Sequence, residues 1–170
     1  FYLPGKGHIV LDGKDADEYD LKQLRQRIGY VSQETELFTG TIAENIRMNN
    51  QEADDEKIDK VLKISGLRKF ISALPDGINF MLDDKGANLS LGQKKSLAFA
   101  RVLISTPDIM VFDEPTAELD NETAQNLLDN LRFAVRDKTV FIITPDPLIA
   151  EFCDKAMFII NGRIAGFCAA

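Results

Sequence analysis

An apolar run at residues 109–112 ends in two adjacent carboxylates, Asp113 and Glu114, and this feature constrains the fold most. A short apolar run of this kind is typical of a buried strand in a parallel sheet, and open α/β folds bind ligands at the carboxyl ends of such strands. Because neighbouring strand side chains point in opposite directions, we expect the two acids to diverge. One can hold Mg²⁺ through water while the other accepts a proton from an attacking water. The alternative is a solvated strand end before a turn at Pro115.

A second feature is the start of a helix at Ser90, with Gln93 at the third helical position. Ser-x-x-Gln at this place predicts a capping box. The free N–H groups and the positive end of the helix dipole then suit a terminal phosphate. Many helices begin in the same way and bind nothing, so a purely structural cap is the alternative.

The phosphate-loop pattern Gly-x-x-x-x-Gly-Lys-Ser/Thr fits no stretch of the chain. The nearest match is Gly13-Lys14, which would place the first glycine at His8 and the metal-binding hydroxyl at Asp15. We therefore expect the phosphate cradle to lie before Phe1 or on another polypeptide.

Short apolar runs alternate with helical patterns along the chain, which predicts an α/β fold with a mostly parallel sheet flanked by helices. We predict strands at residues 9–12, 28–31, 108–112 and 139–144, and a hairpin at residues 156–165. We predict helices at residues 21–27, from 42 onward, and at 55–65, 67–74, 91–104, 122–135 and 146–152.

The charge balance argues against a nucleic-acid partner, and the apolar runs argue against a membrane-spanning helix. A net charge of −7 argues against a nucleic-acid partner, because such binders carry basic stripes. The longest apolar runs, such as residues 140–143, are far shorter than the roughly 20 residues that span a bilayer. We therefore predict no membrane-spanning helix.

Several stretches, in order, resemble the motifs of the ATPase domains of ABC transporters, of the exporter kind in particular. Residues 27–33 (R-I-G-Y-V-S-Q) and 37–46 (L-F-T-G-T-I-A-E-N-I) are similar to the Q-loop segment, 89–103 to the signature motif and its helix, 109–114 to Walker B, and 117–120 (A-E-L-D) to the D-loop. Residues 1–4 resemble the stretch just beyond the Walker A helix. The chain looks like such a domain with its front, and therefore its Walker A motif, removed.

The resemblance implies a P-loop NTPase-like fold with a helical signature subdomain. Residues 1–33 and 106–170 would form the sheet-containing core, and residues 34–105 the Q-loop and helical subdomain. In this family the Walker A strand is expected beside the Walker B strand. Without that segment, residues 110–112 would then lack a neighbouring strand on one edge.

The resemblance also implies site roles. These domains dimerise head to tail, so Ser90, Gly92 and Gln93 would contact ATP held by a second nucleotide-binding domain. On this chain's own side, Gln33 and Asp113 would orient Mg²⁺ and Glu114 would be the general base. The remaining implied site residue is Asp120, which would belong to the ATP-binding residues and transmit changes at the site across the dimer interface. Hydrolysis would drive export through transmembrane partners, with this domain on the cytoplasmic face of the membrane.

Four residues depart from the family pattern. Leu91 replaces a signature glycine, Pro145 stands at the switch histidine, Ala117 replaces a D-loop serine, and Ser96 an arginine. They leave open a degenerate, non-hydrolysing ATP-sensing or dimerisation module. A third alternative, a chromosome-maintenance or double-strand-repair ATPase, would need a long heptad segment before the signature.

The loop after Gln33 carries Leu37 and Phe38 with no strand or long helix of its own to bury them. We expect an exposed pair that docks a membrane-domain helix, because the resemblance places a docking groove here. A core role for the pair is the alternative.

Overall fold

The computed structural model describes residues 4–169. Residues 1–3 and 170 of the predicted core lie outside it, and residues 1–3 are most of the stretch that resembles the segment just beyond the Walker A helix. The strands are β1 (Val10–Leu11), β2 (Lys14–Asp15), β3 (Ile28–Val31), β4 (Gly40–Thr41), β5 (Met81–Leu82), β6 (Ile109–Asp113), β7 (Thr139–Ile143), β8 (Lys155–Ile160) and β9 (Arg163–Ala169). The α-helices are α1 (Leu21–Arg27), α2 (Ile42–Arg47), α3 (Asp55–Ile64), α4 (Arg68–Ser72), α5 (Leu91–Leu103) and α6 (Asn121–Ala134). Short 3-10 helices occupy Ala16–Glu18, Gly77–Asn79, Asp84–Gly86 and Pro147–Phe152.

The central sheet is parallel, with strand order β3-β6-β7, which confirms the predicted α/β class. Val31 pairs with Phe112, and Phe112 with Ile142, so the carboxyl ends of the three strands lie at one edge. The sheet is parallel because helices α5 and α6 connect its strands over its faces. The remaining strands form three antiparallel pairs, β1-β2, β4-β5 and β8-β9.

The expectation that residues 110–112 lack one neighbour is wrong. Strand β6 is paired on both edges, with β3 and with β7. Among the described strands of this sheet, β3 and β7 are the two that have an unpaired edge, and Phe141 and Ile143 of β7 are exposed. The order of strands in a sheet is a tertiary property that the run of apolar residues does not encode.

Helix α5 is the centre of the core, because it packs against β3 on one side and against α2, α3 and α6 on others. Its buried face carries Leu97, Phe99 and Val102. The ring of Phe99 meets that of Phe112 edge-to-face, with centroids 5.6 Å apart. Sheet and helical part therefore share one hydrophobic core.

Helices α1, α2 and α5 begin directly after a residue whose side chain caps them. Asp20, Thr41 and Ser90 each accept a hydrogen bond from the third backbone N–H of their helix. At Thr41 and Ser90 the bond is reciprocated, since the side chains of Glu44 and Gln93 accept from the cap backbone N–H. Both boxes satisfy N–H groups that a helix start leaves unpaired.

The loop after Gln33 differs from the expected exposed pair. Leu37 is only 3% exposed, so it is a core residue, whereas Phe38 is 47% exposed. Leu37 is buried because Gly86 leaves room for it: a Cβ there would lie 2.7 Å from Leu37 Cδ1, and Gly86 has a φ of +62°. The Arg101 guanidinium lies over the ring of Phe38, with 5.4 Å between Arg101 Cζ and the ring centroid.

No helix in the described part of the chain is long and apolar enough to cross a bilayer. The helical insert before α5 consists of α3 and α4, which have 10 and 5 residues, so the heptad segment that the third alternative requires is absent from residues 55–72.

Candidate functional site

The carboxylate cluster, defined as Tyr30, Gln33, Asp113 and Glu114, lies at the carboxyl ends of β3 and β6. The Tyr30 hydroxyl donates to Asp113 Oδ2 at 2.9 Å, and Gln33 Nε2 donates to Glu114 Oε2 at 3.2 Å. The bond to Asp113 raises the pKa of Tyr30, because it stabilises the protonated phenol. The two acids thus have different partners, as expected from their alternation.

Glu114 lies just beyond β6, with its backbone in the left-handed region at a φ of 45°. This conformation is uncommon for a residue other than glycine and costs roughly 1–3 kcal/mol. Its N–H donates to the Ile143 carbonyl at 2.8 Å, and its own carbonyl accepts from the Ala117 N–H at 3.1 Å and from Lys95 Nζ at 3.0 Å. Strand, turn and helix together fix the backbone of this one acid.

The α5 cleft, defined by the starts of α5 and α6 and the α3–α4 connection, encloses about 400 Å³. Ser90, Gly92, Gln93 and Asp120 all line it. Both bonds of the Ser90–Gln93 capping box are present, at 3.3 Å and 2.9 Å. The start of α5, with its exposed Ser90, therefore faces a cleft large enough for polar groups of a ligand.

Gly92 has a packing role that sequence reasoning did not assign. A Cβ at this position would lie 2.8 Å from the Thr123 methyl group, where α5 and α6 approach. Leu91 beside it is 37% exposed and adds an apolar surface at the mouth of the cleft.

Asp120 is the N-cap of α6. Its Oδ1 accepts from the Thr123 N–H at 3.0 Å and its Oδ2 from the Thr123 hydroxyl at 2.6 Å. These bonds lower the pKa of the carboxyl group, because they favour its charged form. Sequence reasoning placed Asp120 among the ATP-binding residues at the interface and missed this cap.

The predicted site residues thus fall into two groups. Gln33, Asp113 and Glu114 meet in the carboxylate cluster, whereas the others line the α5 cleft. Lys95, which sequence reasoning missed, connects the two groups: it lies on helix α5, whose start lines the cleft, and it donates to the Glu114 carbonyl in the carboxylate cluster. Its signal was its spacing: residues 95, 98, 99 and 102 form one buried helix face, on which a lysine is out of place.

The segment after β7 offers no side-chain donor at residue 145. Thr144 Oγ1 accepts from the Asp146 N–H at 3.0 Å, and the exposed Pro145 lies between them. Proline has neither a side-chain donor nor a backbone N–H. Within residues 4–169, no three His, Cys, Asp or Glu side chains gather as a metal site.

Comparisons with known proteins agree on one family. The family model "ABC transporter" matches residues 1–117. The chain is 41% identical over 167 residues to the mitochondrial iron-sulfur clusters transporter ATM1 of Candida glabrata, covering 96% of this chain and 23% of that protein. It is 36% identical over 162 residues to ABC transporter B family member 3 of Dictyostelium discoideum, covering 95% of this chain and 11% of that protein.

A solved structure gives the same result. A bacterial Atm1-family ABC exporter with ATP bound superposes with a TM-score of 0.91 and 32% identity, over 99% of this chain and 29% of that one. The chain therefore spans less than a third of the length of each of these three proteins.

Proposed function

The chain belongs to the ABC transporter family, and from this premise we propose that it forms the ATP-binding and ATP-hydrolysing part of an exporter, coupling hydrolysis to transport. The observation that carries the proposal is the hydrogen bond between Gln33 and Glu114, which holds a carboxylate at the ligand-binding edge of the sheet.

In this proposal Glu114 is the general base that takes a proton from the attacking water. Asp113 and Gln33 would hold Mg²⁺, which neutralises phosphate charge when bound. The donor set fits the ion: Mg²⁺ prefers oxygen ligands and takes one or two from the protein, with the rest from water and phosphates. Since the Gln33 amide nitrogen faces Glu114, its carbonyl oxygen is the atom left to act as a ligand.

The α5 cleft is proposed to receive the ATP of a second nucleotide-binding domain in a head-to-tail dimer. Ser90, Gly92 and Gln93 would contact its terminal phosphate, which favours the positive end of α5. Asp120, held at the start of α6, would contact the partner domain across the same interface.

The second proposed partner is a transmembrane domain, which would place this domain on the cytoplasmic face of the membrane. Phe38 and the half-exposed Met48 line a groove of about 400 Å³ beside α2. Such an apolar groove suits the end of a membrane-domain helix. Because Leu37 is in the core, Phe38 is the member of the pair that remains available to contact such a helix.

The experiment compares two capping boxes in the full-length transporter that carries this chain. Ser90→Ala and Thr41→Ala each remove a cap worth about 0.5–2 kcal/mol of stability. Only Ser90→Ala should also lower ATP turnover, by about tenfold, because it alone removes a hydrogen bond to a charged phosphate. Phosphate release and thermal unfolding measure the two effects.

Thr41→Ala is the matched control, since its box is the same motif on a helix outside the cleft. If both variants lower turnover equally, the loss reflects stability alone. The start of α5 then has no nucleotide contact, and the proposed site is wrong.

The 170-residue chain by itself is expected to bind Mg-ATP very weakly and to show no turnover, because its sequence holds no phosphate loop or loop lysine. Calorimetric titration checks the affinity directly. A micromolar dissociation constant with phosphate release would contradict this expectation and our assignment of the missing contacts.

A degenerate ATP-sensing or dimerisation module is the second candidate, and Leu91 and Pro145 favour it. Leucine adds bulk where the signature approaches phosphate, and proline supplies no donor at the switch position. A full-length transporter that binds ATP but never hydrolyses it would select this function.

A further inference from the structure

Lys95 is a buried lysine whose hydrogen-bond partner is a backbone carbonyl rather than a carboxylate. The residue is 5% exposed, and its Nζ donates to the carbonyl oxygen of Glu114 at 3.0 Å. Burial lowers its pKa, while Glu118 and Glu114 act in the opposite direction. Burying an ammonium group is costly, so this bond has to be specific to persist.

The acceptor belongs to the one acid of the carboxylate cluster whose backbone is strained. Glu114 has a φ of 45°, and its N–H is already bound to β7. Its carbonyl has two donors, the Ala117 N–H of the local turn and Lys95 from helix α5. Lys95 is thus the side-chain contact by which helix α5 holds this backbone, in addition to the backbone bond to β7.

Helix α5 connects the α5 cleft to the Glu114 backbone, because Ser90 at its start and Lys95 belong to the same helix. Ser90 caps the helix five residues before Lys95, and α5 continues without interruption for 13 residues. A rigid-body displacement of the helix start, which faces the α5 cleft, would therefore carry the Lys95 backbone with it and change the position of its side chain relative to the Glu114 carbonyl. The Glu114 carbonyl carbon is bonded to the Cα that carries the carboxylate side chain, so a shift of this carbonyl that displaces the Cα would also displace the carboxylate.

We propose that Lys95 is a positioning residue for hydrolysis: by holding the Glu114 carbonyl it aims the carboxylate at the attacking water, and it links that aim to the start of α5. The inference rests on the proposed function, because it assumes that Glu114 is the base. Lys95 itself contacts neither nucleotide nor water in this role.

The test measures kcat, the KM for ATP and the melting temperature of the full-length transporter with two substitutions. Lys95→Met keeps the apolar stem and removes the donor. We expect kcat to fall about 10- to 100-fold, because a small misplacement of a reacting group has effects of this size. KM and melting temperature should change little. Lys95→Gln retains an N–H donor on a shorter side chain and should recover part of kcat.

The matched control is Lys94→Met, which removes a half-buried lysine from the same helix turn. It should leave kcat unchanged. The inference is overturned if Lys95→Met keeps the parental kcat, or if Met and Gln lower kcat equally together with the melting temperature, which marks a purely structural role.

Failure of the inference can be told apart from failure of the proposed function. If Glu114→Gln abolishes hydrolysis while Lys95→Met does not, only the positioning role is wrong. If the parental transporter hydrolyses no ATP, or Glu114→Gln has no effect, both are overturned.

Discussion

Replacing Glu114 by glutamine is expected to lower the ATPase rate of the full-length transporter about 10²- to 10⁴-fold while ATP binding persists. Glutamine keeps the size of the side chain and an oxygen that can accept from Gln33, but it cannot take a proton at neutral pH. The backbone bonds of Glu114 to Ile143, Ala117 and Lys95 do not involve the altered group. Phosphate release at saturating Mg-ATP measures the rate, and calorimetry the binding.

Glu34→Gln is the control, because it neutralises an exposed carboxylate one residue from Gln33. It changes the charge of the transporter by the same amount without touching the carboxylate cluster. An unchanged rate in Glu114→Gln, or an equal loss in Glu34→Gln, would remove Glu114 from the role of base.

Leu37→Ala is expected to lower the free energy of unfolding by about 2–5 kcal/mol, the usual cost of deleting a buried leucine side chain. Leu37 is almost completely buried against Gly86, so its loss leaves a cavity between the Q-loop segment and the turn that precedes α5. Urea unfolding of the chain at low protein concentration measures the difference.

Phe38→Ala gives the comparison, since the neighbouring side chain is half-exposed. Its cation–π contact with Arg101 is worth about 0.5–1 kcal/mol at an exposed site, so the loss of stability should be small. In the full-length transporter the same variant should reduce transport per ATP. Equal destabilisation by the two substitutions would make Phe38 a core residue and remove the docking role.

Local chemistry made much of the fold predictable. Helix starts at Asp20, Thr41 and Ser90 follow from side chains that bond within three residues of themselves, and the structure places them where the sequence does. The strand at 109–113 follows from its own apolar run. These features need no knowledge of distant parts of the chain.

Contacts between distant segments were not predictable in this way. Leu37 is buried by a glycine 49 residues further along the chain, and Gln33 meets Glu114 across 81 residues. The carboxylates could be proposed from their strand, and their companion Gln33 from the family resemblance. The helix spacing of Lys95 indicates a buried lysine, but its partner could not be predicted, because that depends on where helix α5 passes a strained peptide.

The unpaired edge of β7 has a consequence for the colloidal behaviour of a polypeptide with these 170 residues. The β8–β9 hairpin, which forms a separate sheet, exposes Met157, Phe158, Ile159 and Phe167, so hydrogen-bonding groups and apolar surface are both open to another copy. Open edges of this kind pair readily between molecules. The net charge of −7 opposes such pairing, but added salt screens it. We therefore expect added salt to favour association of dissolved copies through their sheet edges.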